Sequence, residues 1–285
     1  MNFLGIDAGA SATKWVLIND SGTVASGRRD AMDGHIYREA SLERMRRVLS
    51  EISEEIKDSK VSAVYMGITG VTNDGSIERE IETSFRCPSR VVSDIELAYR
   101  ANFEVGEGIL LYAGTGSVAY AIDEKSEAHK IGGWGYLLGD EGAGYWIGKE
   151  AIRLSLFELE KKGKINEGSL SDQILKEIQA SDWDGVKTFV YSKDRAEIAA
   201  LSKIVDRAAE AGDLEAISIL TKAASHLGDL VNRTDGVLVR KSLPVKFTGG
   251  ISGSKILYAE LEKYLRMRVS ISTVDIAWRA AELAR

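Results

Sequence analysis

The sequence predicts an α/β fold built from two similar halves. In the first half, short apolar segments with the length of β-strands flank an amphipathic helical pattern. A second cycle begins at Gly108, where apolar residues run into a glycine-rich turn and then into further apolar residues. A long helical region follows at residues 149–233. These three observations predict an α/β protein whose second half carries a helical insertion.

The first half is predicted to contain strands and one long helix. The strands are expected at residues 3–7, 14–19, 61–68 and 90–93, and the helix at residues 37–57. The segment that joins the first two strands consists mainly of glycine, alanine, serine and threonine. Such small residues are typical of a tight hairpin.

The second half repeats this pattern. Residues 113–117 form a small-residue turn between predicted strands at residues 109–112 and 118–122. After the helical region, a buried strand begins at Val245 and ends at a glycine pair. The remaining expected elements are a helix at residues 255–265, a strand at residues 268–272 and a closing helix at residues 275–285. Each half therefore places one glycine-rich turn after its first strand.

The composition excludes several classes of protein. The formal net charge of the 285 residues is −6 and the basic residues are scattered, so nucleic acid finds no basic surface. Cys87 is the only cysteine, so neither a disulfide nor a cysteine-ligated metal cluster can form within one chain. Signal-peptide and membrane-spanning patterns are both missing. We expect a cytoplasmic protein that binds neither nucleic acid nor a membrane.

Residues 132–148 combine many glycines with two adjacent carboxylates and four large aromatic side chains. Glycines allow the backbone to approach a ligand closely, and carboxylates accept hydrogen bonds from hydroxyl groups. The segment therefore predicts a loop that binds a ligand and then enters a helix. Its carboxylates are Asp140 and Glu141, and its first aromatic residue is Trp134.

The two small-residue turns predict a phosphate-binding site. Consecutive backbone N–H groups in a concave turn suit the oxygens of a polyphosphate. Asp7 precedes the first turn and is a candidate for holding a hydrated Mg²⁺ that bridges phosphate oxygens. Each feature alone also fits an ordinary turn, and Lys14 also fits a cap on the hairpin. The candidate phosphate-binding residues are Gly9, Ser11, Thr13 and Lys14 in the first turn and Gly114, Thr115 and Gly116 in the second.

The ordered set of two glycine turns and a late glycine pair resembles the sugar kinase, Hsp70 and actin superfamily. Within that superfamily, residues 113–117, 132–135 and 139–142 resemble the BadF/BadG/BcrA/BcrD group, which includes N-acetylglucosamine kinase and archaeal hexokinases. The resemblance spans essentially the whole chain. It implies two ribonuclease-H-like domains of the actin-like ATPase type, with a cleft between them. The expected domains are residues 1–113 with the closing helix 274–285, and residues 114–273 with a helical insertion at about 149–233.

The resemblance also implies roles for individual residues. Asp94 matches the aspartate that takes the proton from the attacking sugar hydroxyl, although an aspartate there also fits a helix N-cap. ATP and Mg²⁺ are the expected cofactors, with Gly249 and Gly250 beside the adenosine. Homodimers are common in the family, so a homodimer is expected. The expected substrate-binding residues are Gly34, His35, Gly70, Ser117, Trp134, Asp140 and Glu141.

Two departures from the family pattern bear on the phosphoryl acceptor. Val118 stands where N-acetylglucosamine kinases carry an asparagine, and residues 27–38 are unusually basic. Arginine binds a carboxylate bidentately, and archaeal 2-keto-3-deoxygluconate kinases are placed in this group. The sequence therefore places 2-keto-3-deoxygluconate narrowly ahead of hexoses. The alternatives are a hexokinase and an N-acetylglucosamine or glucosamine kinase, in which residues 27–38 would form a solvated surface loop.

Two functions other than sugar phosphorylation also fit parts of the pattern. Activators of 2-hydroxyacyl-CoA dehydratases hold a [4Fe–4S] cluster between two subunits with two cysteines from each, whereas this chain has only Cys87. An ATPase switch of the actin or Hsp70 type would retain both phosphate turns but would not need Asp94, Asp140 and Glu141. The sequence therefore favours an ATP-dependent carbohydrate kinase that binds a small sugar or sugar acid.

Overall fold

The protein divides into two compact units. The computed structural model describes residues 1–9, 12–72 and 74–285. Unit 1 consists of residues Met1–Phe103 and Thr273–Arg285, and unit 2 consists of residues Glu104–Ser272. The last residues of the chain therefore complete the unit that its first residues begin.

Both units combine β-strands with helices. Unit 1 begins with β1 (Asn2–Ala8), β2 (Thr13–Asn19), β3 (Gly22–Arg29), α1 (Glu39–Glu55), β4 (Val61–Ile68), α2 (Ser76–Phe85), β5 (Ser89–Ser93) and α3 (Asp94–Asn102). Unit 2 contains β6 (Ile109–Ala113), β7 (Ser117–Ile122), β8 (Ala128–Gly132), α4 (Gly144–Lys162), α5 (Leu170–Glu177), α6 (Trp183–Ser192), α7 (Arg195–Ala200), α8 (Ser202–Glu210), α9 (Leu214–Val237), β9 (Val245–Thr248), α10 (Lys255–Tyr264) and β10 (Val269–Ile271). The chain then returns to unit 1 with α11 (Ile276–Leu283).

Each unit holds one five-stranded mixed sheet, and the two sheets have equivalent topology. The strand order is β3-β2-β1-β4-β5 in unit 1 and β10-β9-β6-β7-β8 in unit 2. In each sheet, three consecutive antiparallel strands are extended by two parallel strands beside the first. The prediction of an α/β fold in two similar halves is confirmed.

Helices cover both faces of the sheet in unit 1. On one face, β1 residues such as Leu4 pack against apolar residues of α1, including Met45 and Leu49. On the other face, Val16 of β2 packs against Ala277 of α11. Because side chains alternate between the faces of a strand, neighbouring residues of one strand contribute to both cores. The closing helix is therefore part of the core of unit 1.

Gly5 lets β1 and α11 approach more closely than a larger residue would allow. A Cβ atom at this position would overlap the backbone of Ala277 and Ala281. We expect Gly5→Ala to lower the free energy of unfolding by about 3 kcal/mol, because backbone atoms would have to move. In the matched control Gly236→Ala, the new methyl group enters open space in α9, and stability should rise by up to about 1 kcal/mol. Urea unfolding followed by circular dichroism measures both variants, and equal effects would contradict the packing argument.

The helical region of unit 2 is longer than the sequence predicts. α4 begins at Gly144 and α9 ends at Val237, whereas the predicted insertion covers residues 149–233. α9 packs against β6, β7 and β8, and α4 packs against α5, α7 and α8. Asp194 caps α7 with a capping box, in which its carboxylate accepts the Glu197 N–H. The first turn of α7 is therefore fixed by its own N-terminal residues.

The domain limits differ from those that the sequence predicts. The predicted limits after residues 113 and 273 fall instead after residues 103 and 272. The reason is that β6 pairs with β7 and β9, so it belongs to the second sheet. The sequence also does not predict β3, α2 or β8. Within the described ranges, each helix is either too short or too polar to span a bilayer.

Candidate functional site

Asp7 lies at the carboxyl end of β1 in unit 1. In the sheet it stands opposite Lys14 of β2 and Gly67 of β4. The pKa of the Asp7 carboxyl is raised from its ordinary 3.8 to about 6. Burial is the main cause, Lys14 opposes it, and the carboxylates of Asp94 and Asp275 add to it. Ionised Asp7 is therefore unfavourable in this position unless a cation balances its charge.

Asp94 is the first residue of α3 and follows the parallel strand β5. The N-cap of α3 is Ser93, whose Oγ accepts the Glu96 N–H at 3.2 Å. Asp94 Oδ1 accepts the N–H of Ile95 at 2.9 Å. The helix therefore takes its N-cap from Ser93 rather than from Asp94, which weakens the alternative that Asp94 serves only as a cap.

The first glycine turn joins β1 to β2. The Gly9 N–H donates to the carbonyl of Ala12 at 3.1 Å, and Ser11 lies outside the described residues. Thr13 is fully buried, and its Oγ1 donates to the carbonyl of Asp30 at 2.8 Å. The hydroxyl proton of Thr13 is thus used within the fold, and phosphate binding by Thr13 stays a prediction.

The basic segment of residues 27–38 is only partly a loop, because Arg28 and Arg29 belong to β3. Arg29 forms ion pairs with Glu51 and Glu55 of α1. The guanidinium of Arg38 lies 5.4 Å from the ring centroid of the preceding tyrosine. Arg29 and Arg38, which the sequence analysis expects to bind a substrate carboxylate, therefore have separate partners and do not form one binding group.

Lys14 and Arg28 stand directly opposite each other on β2 and β3. Like charges in such a cross-strand pair repel each other, so an anion between them would be favourable. The Lys14 side chain is exposed. This position beside the first glycine turn fits the predicted phosphate contact of Lys14.

Three of the predicted substrate residues lie together in unit 1. The Gly34 N–H donates to the carbonyl of Thr69 at 2.8 Å, and a Cβ at Gly34 would lie 2.6 Å from the carbonyl oxygen of Gly70. His35 packs on Gly70, where a Cβ would lie 2.5 Å from His35 Cε1. His35 Nδ1 and Asp33 Oδ1 are 3.0 Å apart. The structure therefore brings Gly34, His35 and Gly70 into one cluster, and Asp33 orients the imidazole.

The second glycine turn joins β6 to β7 in unit 2. The carbonyls of Gly114 and Thr115 accept the N–H groups of Gly144 and Tyr145 at 2.8 and 3.2 Å. The N–H groups of Thr115 and Gly116, by contrast, donate to no acceptor among the residues that the structure describes. Two adjacent N–H groups of this kind form an anion-binding nest. The geometry of this turn fits the predicted phosphate site.

Asp140 is seated against the second turn. Its Oδ1 accepts the Ser117 N–H at 3.4 Å, and a Cβ at Gly116 would lie 2.5 Å from its Oδ2. Its φ of 63° is uncommon for a residue with a side chain. Burial raises the pKa of the Asp140 carboxyl, while the Ser117 N–H and the charge of Arg195 lower it. A buried carboxylate on a strained backbone beside a phosphate nest is a candidate functional group.

The other predicted residues of this loop have different surroundings. Ser117 is buried, and its Oγ donates to the carbonyl of Glu141 at 3.0 Å. The hydroxyl proton of Ser117 thus holds the loop in place, and substrate binding by Ser117 stays a prediction. The Glu141 side chain is exposed, and Trp134 is 63% exposed with the guanidinium of Arg233 at 5.8 Å from its ring. Glu141 and Trp134 remain available to a ligand.

Gly249 brings the end of β9 close to the second turn. Its φ is 103°, and a Cβ there would overlap the backbone of Ala113. The Ile251 N–H also donates to the carbonyl of Ala113, at 3.2 Å. Gly250 is exposed, with open space around its Cα. The late glycine pair therefore lies beside the residue that begins the second turn, and its place beside adenosine stays a prediction.

One further group in unit 2 has the composition of a metal site. The ligand atoms of Asp123, Glu127 and His129 all lie within 4.8 Å of one another. The Asp123 carboxylate, however, already accepts the N–H groups of Lys125 and Glu127 and contacts His129 Nε2 at 3.0 Å. These bonds fix the turn between β7 and β8, so we assign the group to structure.

Two residues near the candidate groups are missed by the sequence analysis. Asp275 caps α11, and its negative charge contributes to the raised pKa of Asp7. Arg195, at the start of α7, places its guanidinium 5.8 Å from the ring of Tyr136 and acts electrostatically on Asp140. Both lie far along the chain from the residues that they affect, so no local motif marks them.

Comparison with known proteins decides the family. Residues 4–280 match the family model described as the BadF/BadG/BcrA/BcrD ATPase family. The chain belongs to this family. It is 32% identical over 263 residues to the N-acetylmuramic acid/N-acetylglucosamine kinase of Clostridium acetobutylicum, covering 85% of each chain. It is 25% identical over 312 residues to the N-acetyl-D-glucosamine kinase of Dictyostelium discoideum, covering 99% of this chain and 97% of the relative.

Solved structures give the same result for the fold of this BadF/BadG/BcrA/BcrD family member. A Chromobacterium violaceum protein, described provisionally as an N-acetylglucosamine kinase, matches with a TM-score of 0.79 and 23% identity. The match covers 100% of this chain and 99% of the other. The predicted family, fold class and enzyme class, an ATP-dependent sugar kinase, are confirmed.

Proposed function

We propose that this family member is an ATP-dependent kinase of N-acetylated amino sugars, with N-acetylglucosamine and N-acetylmuramic acid as acceptors. The observation that carries the proposal is the 32% identity over 263 residues to a relative named for both sugars. The Dictyostelium relative, which is named for N-acetyl-D-glucosamine, supports the same class of acceptor. The reaction would transfer the γ-phosphoryl group of ATP to a sugar hydroxyl.

In unit 1, we assign the proton acceptor to Asp94. It follows the carboxyl end of a parallel strand, which is where α/β sheets bind ligands. Its carboxylate would take the proton of the attacking hydroxyl. Gly34, His35 and Gly70 are assigned to the sugar, because the structure groups them and leaves His35 partly accessible.

The surroundings of Asp7 fit a Mg²⁺ ion. Mg²⁺ prefers carboxylate oxygens, and burial together with Asp94 and Asp275 makes the charge on Asp7 unfavourable without a cation. Bound Mg²⁺ would neutralise charge on the transferred phosphate. Lys14, on the neighbouring strand, would add a second positive charge beside the first glycine turn.

In unit 2, the N–H groups of Thr115 and Gly116 are assigned to phosphate oxygens and the residues after β9 to adenosine. Asp140 is assigned to a sugar hydroxyl, because its buried carboxylate keeps acceptor capacity beyond its long bond to Ser117. Phosphoryl transfer depends mainly on positioning and electrostatic stabilisation, so these groups suffice for the proposed chemistry.

The narrow preference for 2-keto-3-deoxygluconate over other sugars finds no support. The Clostridium and Dictyostelium relatives are both named for amino sugars, and Arg29 is engaged by two glutamates. Val118 therefore does not by itself exclude an N-acetylated sugar. The homodimer and the cytoplasmic location stay predictions.

A coupled assay of ADP release with Mg²⁺-ATP tests the proposal. The panel contains N-acetylglucosamine, N-acetylmuramic acid, glucosamine, glucose and 2-keto-3-deoxygluconate, with a control that lacks sugar. We expect the highest kcat/KM with the two N-acetylated sugars and background turnover without sugar. Preferential turnover of glucose or of the keto acid would overturn the acceptor class. ADP release that is indifferent to every sugar would instead point to an ATPase switch.

A further inference from the structure

Arg195 is an exposed guanidinium held in a defined place in unit 2. It is the first residue of α7, and its Cζ lies 5.8 Å from the ring centroid of Tyr136. The ring of Tyr136 is in turn packed edge-on against Tyr145 at 5.0 Å. A cation over an aromatic face is attracted by the ring, so Tyr136 orients Arg195 without using its N–H donors.

The helix that carries Arg195 is itself rigidly placed. The capping box of Asp194 and Glu197 fixes its first turn. The following residues of α7 pack against two glycines of α4. A Cβ at Gly148 would overlap the carbonyl of Ile198, and a Cβ at Gly144 would lie 3.3 Å from the carbonyl of Ala199. The two helices therefore approach at backbone distance. The Gly144 N–H also donates to the carbonyl of Gly114 in the second glycine turn. Because α7 packs on α4 at Gly144, the guanidinium of Arg195 is held in place relative to that turn.

The donors of Arg195 are unused within the fold. Its side chain forms no ion pair and no hydrogen bond with any part of the chain that the structure describes. Its charge reaches Asp140 and favours the ionised carboxylate, yet the two groups form no salt bridge. Arg233 provides a contrast, since it lies over Trp134 of the same loop but forms an ion pair with Asp229, whose Oδ2 lies 2.9 Å from Arg233 Nε.

We propose that Arg195 binds a carboxylate carried by the sugar, and so allows the protein to accept an N-acetylated amino sugar that bears an acidic ether substituent. This inference rests on the proposed function. Asp140 accepts a hydrogen bond from Ser117 at the end of the second glycine turn. Tyr145, against which the ring beneath Arg195 packs, donates its N–H to the carbonyl of Thr115 in the same turn. An acceptor and a fork of donors are therefore both held at that turn. A hydroxyl and a neighbouring carboxylate on one sugar ring match that pair. N-acetylmuramic acid has this chemistry, because its lactyl ether adds a carboxylate next to a free ring hydroxyl. The guanidinium fork suits a carboxylate bidentately.

The test compares kcat/KM for N-acetylmuramic acid and N-acetylglucosamine in the wild type, Arg195→Ala, Arg195→Lys and Arg233→Ala. In Arg195→Ala we expect the value for N-acetylmuramic acid to fall by about 10- to 100-fold, with that for N-acetylglucosamine changed by less than about threefold. Arg195→Lys should restore part of the loss, because a point charge remains. Arg233→Ala removes a cation that lies over another aromatic ring of the same loop, and it should leave the ratio of the two values unchanged.

Several outcomes would overturn the inference. Equal losses for both sugars, a raised KM for ATP with either sugar, or an equal shift of the ratio in Arg233→Ala would each remove carboxylate recognition from Arg195. A wild type that phosphorylates only N-acetylglucosamine would overturn this inference and leave the proposed function intact. A wild type that phosphorylates neither sugar would overturn the proposed function and this inference with it. Melting temperatures of all variants control for unfolding.

Discussion

Asp94→Asn is expected to lower kcat by about two to four orders of magnitude while leaving the fold and ATP binding intact. An asparagine has the shape of aspartate but cannot accept the proton of the attacking hydroxyl. The fold should tolerate the change, because Ser93 supplies the N-cap of α3. The coupled ADP-release assay measures kcat, and calorimetric titration with ATP measures binding.

Ser93→Ala is the matched control for Asp94→Asn. It removes the Oγ that accepts the Glu96 N–H, so it should lower stability by about 1 kcal/mol. Because Ser93 is not assigned to the reaction, kcat should stay within about threefold of the wild type at a temperature where both are folded. If Ser93→Ala lost as much turnover as Asp94→Asn, the two losses would reflect disturbance of α3. Near-normal turnover in Asp94→Asn would remove Asp94 from the mechanism.

Asp7→Asn is expected to have opposite effects on stability and on activity. The Asp7 carboxyl has a pKa of about 6 in the fold against an ordinary 3.8, so folding favours its protonated form. This contribution is fully present below about pH 4 and is lost as the pH rises through 6. At pH 8 the neutral asparagine should therefore stabilise the protein by up to about 3 kcal/mol. Turnover with Mg²⁺-ATP should fall on the order of 100-fold, because the proposed cation loses its carboxylate.

Urea unfolding of wild type and Asp7→Asn at pH 4, 6 and 8, without nucleotide or metal, measures the first effect. The stability difference should be small at pH 4 and should grow toward pH 8. The control is Asp20→Asn, since Asp20 is exposed in the turn between β2 and β3 and its carboxylate lies 4.0 Å from the exposed N-terminal amine. A difference for Asp7→Asn that is independent of pH would show that the carboxyl does not titrate as inferred.

Much of the fold could be predicted because its central strands are apolar and its turns are rich in glycine. β1 and β6 carry side chains that reach zero exposure, such as Leu4 and Leu111, and hydrophobic periodicity reports that burial directly. β3 could not be found in the same way, since it lies at the sheet edge and its eight residues alternate between exposed and half-buried positions. α2 begins after Gly75 without a side-chain cap, so it lacks a start signal.

The candidate site shows where local sequence stops being informative. Local motifs single out Asp7 and Asp140 as candidates, and the family resemblance singles out Asp94, because each follows or enters a recognisable element. The same motifs could not reveal that the hydroxyls of Thr13 and Ser117 are used by the distant carbonyls of Asp30 and Glu141. Such hydrogen bonds depend on tertiary packing. The partners of a polar side chain decide whether it is available to a ligand, and a single sequence does not contain them.

The position of α11 imposes an order on folding during synthesis. Unit 2 is continuous in sequence, whereas unit 1 needs residues from both ends of the chain. Until α11 leaves the ribosome, Val16 and Ile18 have no cover on their face of the sheet, because Ala277 and Ala281 supply it. Unit 2 can therefore fold while unit 1 is still open and exposed to aggregation. A chain that lacks α11 would therefore have a complete unit 2 and a unit 1 whose sheet stays uncovered on one face.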